Sequence, residues 1–248
     1  MNIVNFKRLK NGMYKVRLND NSEISLYQEV ILEYELLLKK NVSDEMLLEI
    51  NSLNKKWEVY YVGLKLLKSR FRSREELFDL LVKKEYSNDD ICDALDKLEK
   101  QGYINDLTFS KSYINNQILT TNRGPRRIIN DLLGKGVSQD IIDKTIVEFD
   151  CDLEKNKISK QVDKLIKSNR NKSGKVLKMK IINDLLKLGY SRDIIVEIVD
   201  KREFSVSKDL IKKEYDKLYR KYSKKYSGSE LEYKIKQKLY QKGLVYED

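Results

Sequence analysis

Residues 128–133 read IINDLL, and 53 positions later, at 181–186, the same six letters return. The copies sit inside longer matches, NRGPRRIINDLLGKGVSQDII (122–142) against KMKIINDLLKLGYSRDII (178–195). Looser versions flank them: LVKKEYSNDDI at 81–91 and LYQKGLVYED at 239–248. With Tyr86, Val137, Tyr190 and Leu244 as register points, the spacings are 51, 53 and 54 residues. Self-similarity at such a period marks repeat proteins, whose units bury too little alone and stack on their neighbours. Each period has room for three helices: a long one, a short one carrying the LLxK stripe, and a third starting at Ser-x-Asp. Asp89, Asp140 and Asp193, two residues after that Ser, suit the positive end of a helix dipole.

The segment 73–103, SREELFDLLVKKEYSNDDICDALDKLEKQGY, shows the local grammar. Ser73 to Glu76 read as a capping box, with Ser73 taking an orphan N–H and Glu76 reaching back. Leu77, Phe78, Leu81 and Val82 then form one apolar stripe. Ser87 caps the next helix, whose stripe is Ile91, Leu95 and Leu98, and Gly102 ends it. Gly (10 residues) and Pro (one) are too scarce to break many helices. Residues 3–27 read differently. Asn11-Gly12 is a hairpin turn, Tyr14, Val16 and Leu18 alternate, and a second turn at 19–22 precedes EISLY. Such a meander is unstable alone and must pack on a helix beginning near Gln28.

These patterns predict a mainly α fold: an elongated tandem array of three-helix repeats with a small N-terminal three-stranded antiparallel β meander. The expected divisions are 1–54 for the meander plus helix, then repeats at 55–105, 106–153, 154–204 and 205–248. The last repeat lacks its third helix within the sequence.

The 50 Lys and Arg against 39 Asp and Glu give a net charge of +11, which favours a polyanionic partner. There is no histidine, and the two cysteines form no CxxC pair, so zinc clusters, Ser-His-Asp triads and histidine general bases are excluded. Cys92, beside Ile91 and Leu95, reads as a buried small hydrophobe. No run approaches 18 apolar residues and the N-terminus has no signal-like stretch, so a cytoplasmic, membrane-free monomer without cofactor or metal is expected.

Three places could bind. Pro125 suits a first helical position, with Gly124 turning the chain in. Arg123, Arg126 and Arg127 cluster at that helix start. They are either a solvated face with pairs such as Arg127 to Asp131, or an anion clamp helped by free N–H groups. Residues 155–180 hold ten basic residues and one acidic one, Asp163. The part up to Ile166 is amphipathic. The loop 168–175 lacks GxxxxGK[ST], so a P-loop is untenable and backbone-directed phosphate binding is the functional reading. Lys172, Lys175, Lys178 and Lys180 are its candidate contacts. Tyr215, Tyr219, Tyr222 and Tyr226 follow a 4-3-4 spacing, which is either a core stripe or a stacking platform for single-stranded bases. Acidic pairs such as Asp89-Asp90 sit at helix starts, where capping explains them, and no constellation supports catalysis.

The residues RFRSREEL (70–77), LDKLEKQGYINDLTFSKSYI (95–114) and RGPRRIINDLLGKG (123–136), in that order, resemble the RecX family of recombination regulators. Gly102, Tyr103, Ile104, Asn105, Asp106 and Phe109 fill its G-Y-[LI]-[DN]-D-x-x-F-A turn. Gly124, Pro125, Arg127, Ile128 and Leu132 fill its basic G-P-x-[RK]-I-x-x-E-L helix. Ser110 stands where the family has Ala, Asp131 where Glu is common, and Glu85 where the later repeats have Gly. The resemblance implies a non-enzymatic modulator that binds the RecA recombinase and the RecA–DNA filament and restrains ATP hydrolysis and strand exchange. Arg72, Arg74, Arg123, Arg126 and Arg127 are then candidate contacts together with the four lysines. A sequence-independent DNA-binding protein acting without a recombinase is the alternative, and a carboxylate-metal nuclease a distant third.

Overall fold

Alternating apolar residues and two tight turns build the N-terminal sheet. In the computed structural model, which describes residues 1–9, 12–169, 174–204, 208–242 and 244, strands β1 (Ile3–Arg8), β2 (Tyr14–Leu18) and β3 (Glu23–Leu26) pair antiparallel in the order β1-β2-β3. Phe6 faces Val16 and Val16 faces Ile24 across the sheet, so Val16 and Leu18 point into the core. Gly12 takes a left-handed φ of +87° in the first turn, while Asn11 lies outside the described residues. The Asp20 carboxylate accepts the Ser22 N–H at 2.9 Å in the second turn. Helix α1 (Gln28–Glu33) does begin at the expected point but is short. The 26-residue α2 (Asp44–Ser69), capped by Ser43, covers the sheet instead. Its first half adds Ile50 to the sheet's core.

The second half of α2 enters another core. Val59 and Tyr60 meet Leu77 and Leu81 of α3 (Arg74–Val82) and Ile91, Leu95 and Leu98 of α4 (Asn88–Lys100). Gly63 makes the close approach possible, because a Cβ there would stand 3.0 Å from Leu98 Cδ1. Each fully buried Leu or Ile in such a cluster contributes about 1.5–3 kcal/mol. Ser73 and Ser87 cap α3 and α4 as their sequence positions predict, accepting the N–H groups of Glu76 (3.1 Å) and Asp90 (3.2 Å).

Three local readings need correction. The Glu76 carboxylate does not close a capping box: Lys135 holds it at 2.6 Å, with Arg70 at 3.6 Å. Burial pushes Glu76 up, but the Lys135 bond and the Lys135 and Arg70 charges outweigh it and leave it below the usual carboxylate range. Val82 is 42% exposed, so the α3 stripe ends at Leu81. Cys92 is exposed rather than buried, since one residue past Ile91 turns it about 100° away from the core.

Met1–Ser110 with Leu132–Ile142 form one unit, and Lys111–Asp131 with Asp143–Asp248 a second. Across both run α5 (Asp106–Thr120), α6 (Pro125–Leu133) and α7 (Gln139–Thr145), the last continuing as a 3-10 turn over Ile146–Glu148. The second unit also contains α8 (Cys151–Ser168), α9 (Gly174–Lys187), α10 (Arg192–Asp200), α11 (Lys208–Tyr222) and α12 (Gly228–Gln241). Asp150 caps α8 through the Leu153 N–H at 2.7 Å. Buried Glu154 accepts the Ser191 N–H at 2.7 Å, capping α10 where the Ser191 hydroxyl makes no such bond. In α11 and α12, Leu218, Leu231, Ile235, Leu239 and Leu244 make a separate core. Among the described residues no helix is long and apolar enough to cross a membrane.

Candidate partner and nucleic-acid surfaces

The arginine-bearing helix starts are built by one recurring contact. In the first unit, the Ser73 hydroxyl at the start of α3 donates to the Lys135 carbonyl at 2.7 Å, in the turn that ends α6. In the second unit, the Gly124 and Arg126 N–H groups at the start of α6 donate to Leu188 (2.7 Å) and Gly189 (3.1 Å), in the turn that ends α9. The positive end of one helix dipole thus meets carbonyls at the negative end of another. Gly136 and Gly189, at φ +74° and +89°, form these turns, and the equivalent Glu85 reaches φ +65° without being glycine.

That contact disposes of the free N–H groups on which an anion clamp at Pro125 relied. They are taken by Leu188 and Gly189, and the Arg127 N–H turns back to the Gly124 carbonyl at 3.1 Å. The arginines are partly engaged too. Asp131 accepts from Arg123, lies 3.6 Å from Arg127 and accepts the Tyr113 hydroxyl at 3.3 Å. Arg126 is exposed and meets no carboxylate among the described residues. At the start of α3, Arg74 binds Asp96 (2.6 Å) and Glu99 (2.7 Å), while its N–H reaches Asp106 (3.0 Å). Burial raises the Asp106 carboxyl above its usual range, against the opposing pull of the Arg74 N–H. Arg72 donates to the Leu66 carbonyl (3.2 Å) and the Ser69 hydroxyl (3.3 Å), closing the end of α2. Burial, and then the Arg70 charge, lower its pKa.

The motif residues have structural work. Gly102 ends α4 at φ +77°, and Phe109 is buried while Tyr103 stands half exposed. Gly124 is fully enclosed by the α9 turn. Of the four candidate lysines, Lys178 pairs with Asp200 at 2.7 Å and Lys180 with Asp184 one turn on. Lys175 is exposed, and Lys172 lies outside the described residues. Lys157, in the same basic stretch, turns inward and donates to the Ile118 (2.5 Å) and Thr121 (3.1 Å) carbonyls, capping the end of α5. Burial holds its ammonium below the ordinary lysine pKa.

Further cations face solvent on two outer helix faces. On α8, Lys160, Lys164 and Lys167 line a shallow open groove of about 590 Å³ with Asp163, whose carboxylate is held by Arg202 at 3.0 Å. On α11, Lys213, Lys217, Arg220 and Lys221 line another of the same volume beside Asp216. A helical-wheel reading marks the second: 213, 217 and 220 fall opposite the core positions 211, 215 and 218. Among the described residues no three His, Cys, Asp or Glu side chains converge in a way that could hold a metal ion.

Fold and surface together define a mainly helical protein of three-helix modules with basic outer faces. The chain belongs to the RecX family. Family models for its first and second three-helix domains match residues 60–98 and 105–146. Regulatory protein RecX of Listeria innocua is 30% identical over 238 residues, covering 94% of this chain and 88% of that protein. The Bacillus subtilis protein of the same name is 29% identical over 235 residues, covering 93% and 88%. A crystal structure of a regulatory protein RecX superposes with a TM-score of 0.74 at 21% identity, over 81% of this chain and 99% of that one. That of RecX from Lactobacillus salivarius gives 0.57 at 27% identity, over 60% and 97%.

Proposed function

We propose that this chain is a non-enzymatic regulator that binds the RecA recombinase and its filament on DNA, restraining ATP hydrolysis and strand exchange. The near-full-length likeness to proteins named as regulatory supports the reading, together with the G-Y-I-N-D and R-G-P-R-R motifs at 102–106 and 123–127. The net charge of +11 fits a partner rich in acidic side chains and phosphate. The repeat divisions at 55–105, 106–153, 154–204 and 205–248 belong to the same proposal, each repeat offering its own outer face.

Added to RecA on single-stranded DNA, the protein should lower ATP turnover at or below equimolar amounts. Arg126→Glu reverses an exposed charge that holds no internal partner among the described residues, so it should weaken that effect without unfolding the helix. An ATPase rate unmoved by the wild-type protein from the same organism's RecA overturns the reading. Direct phosphate binding without a recombinase is the second reading, favoured by the solvent-facing lysines of α8.

A further inference from the structure

The two edges of the N-terminal sheet are finished differently. The outer edge of β3 is closed by Asn54 of α2, whose side chain accepts the Tyr27 N–H at 2.9 Å and donates to the Ser25 carbonyl at 3.0 Å. The outer edge of β1 is covered only at its start. There the Ile3 N–H donates to the Lys40 carbonyl at 2.8 Å, Asn2 bridges Asn41, and Met1 and Val42 exchange bonds of 2.7 Å. Beyond Ile3 the register pairs Asn5 with Arg17 and Lys7 with Lys15, and the Leu9 N–H donates to the Met13 carbonyl at 2.8 Å. Alternation therefore turns the N–H and C=O groups of Phe6 and Arg8 away from β2, and nothing meets them among the described residues. The same edge is basic. Lys7 and Arg8 are exposed, and neither meets a carboxylate among the described residues. On the solvent face, Glu23 of β3 binds both Lys15 and Arg17 of β2, so Lys7 stands opposite Lys15 with no carboxylate on its own side. Like charges directly opposed across a strand pair are unfavourable.

We infer that the outer edge of β1, from Val4 to Arg8, docks an extended acidic segment of a partner protein as a fourth strand of the sheet. That stretch extends roughly 17 Å, and an antiparallel partner exchanges about four backbone hydrogen bonds with Phe6 and Arg8. In such strand addition the main-chain bonds give affinity and the side chains give choice. A carboxylate opposite Lys7 repeats from one side what Glu23 does for Lys15 and Arg17 from the other. Val4, 62% exposed, adds apolar surface at the start of the edge. A second copy of this chain fits poorly, because pairing two β1 edges sets Lys7 and Arg8 against their own counterparts. Phosphate groups suit the cations but offer only acceptors, so they leave the Phe6 and Arg8 carbonyls unpaired. Edge cations also deter self-pairing, and a purely protective role predicts an edge that takes no partner strand at all. The inference goes beyond the recombinase reading and does not depend on it.

Amide hydrogen exchange of the full isotope-labelled chain, followed by NMR with a capped peptide of alternating Glu and Thr, tests it. Neither recombinase nor nucleic acid is present. Exchange at Phe6 and Arg8 should slow when the peptide is added, while that at Lys7, already bonded to β2, stays as it was. A Lys-Thr peptide should protect neither amide. Nor should a Glu-Pro peptide of the same charge, since proline lacks the N–H that a strand needs. Lys7→Glu combined with Arg8→Glu should weaken binding of the acidic peptide about 10-fold at low salt. The same double variant should admit the Lys-Thr peptide instead, which shows that its sheet is intact. Unchanged exchange at Phe6 and Arg8, equal protection by the Glu-Pro peptide, or full binding of the acidic peptide by the double variant would each overturn the assignment. So would protection of the same two amides by oligo-dT, or by a concentration-dependent dimer of the wild-type chain.

Discussion

Gly124 and Gly189 touch so closely that neither has room for a side chain. A Cβ on Gly124 would lie 2.5 Å from the Gly189 carbonyl carbon, and one on Gly189 would lie 2.5 Å from the Arg127 nitrogen. The obstacles are backbone atoms, which cannot swing away as the end of a long side chain can. The Gly124 N–H bond to Leu188 and the Arg126 N–H bond to Gly189 depend on this approach.

Gly124→Ala and Gly189→Ala should therefore each destabilise the protein by about 2 kcal/mol or more. Gly189→Ala adds left-handed strain, its φ being +89°, to the same clash. Urea unfolding monitored by circular dichroism measures both. A midpoint unchanged for Gly124→Ala would show that the two helix ends do not meet in solution.

Glu85 offers the opposite change. It adopts φ +65° at the position where the later turns have Gly136 and Gly189, and its side chain is exposed. A left-handed non-glycine residue costs roughly 1–2 kcal/mol, partly offset by the extra freedom that glycine has in the unfolded chain. Glu85→Gly should raise stability by about 0.5–1 kcal/mol. Thermal melting checks the sign, and a lower midpoint would refute the strain argument.

Tyr190 is 1% exposed, and its hydroxyl has no hydrogen-bond partner among the described residues. Burial, with the Glu154 charge added, pushes the phenol up to about 12. The folded state therefore keeps the proton while the unfolded chain releases it near the ordinary tyrosine value of 10.0. The resulting stability is complete below pH 10 and is lost as pH rises towards 12. Tyr190→Phe should leave neutral-pH stability equal or about 1 kcal/mol higher, since an orphaned polar group is removed. It should also move the alkaline unfolding midpoint upward. A loss of stability at pH 7 would mean that the hydroxyl is bonded after all.

Much of the local architecture was legible because it rests on short-range spacing. Ser73 and Ser87 cap the helices that follow them, Gly102 ends α4, and the alternation at Tyr14, Val16 and Leu18 forms a strand. Even the core role of Tyr215 and Tyr222 follows from their place beside Ile211 and Leu218. The errors came one residue beyond a reliable stripe. Val82 continues the apolar stripe of α3 and Cys92 has apolar neighbours in sequence, yet each lies on the side of its helix turned to water.

By itself the sequence determined the helical character and the helix ends at Ser73, Ser87 and Gly102, because each depends on residues three or four apart that share one turn. Only the tertiary structure decided which cations are available. Lys178 is neutralised by Asp200 and Arg74 by Asp96 and Glu99, while Lys157 is held inward by carbonyls near 120, all partners more than 20 residues away. Counting charges along the chain favoured the whole of 155–180, while the pairing of charges in space takes Lys157, Lys178 and Lys180 out of it and leaves Lys160, Lys164 and Lys167 on the outer face of α8. An ion pair is set by where the backbone carries its two ends, and one turn of helix carries no information about that.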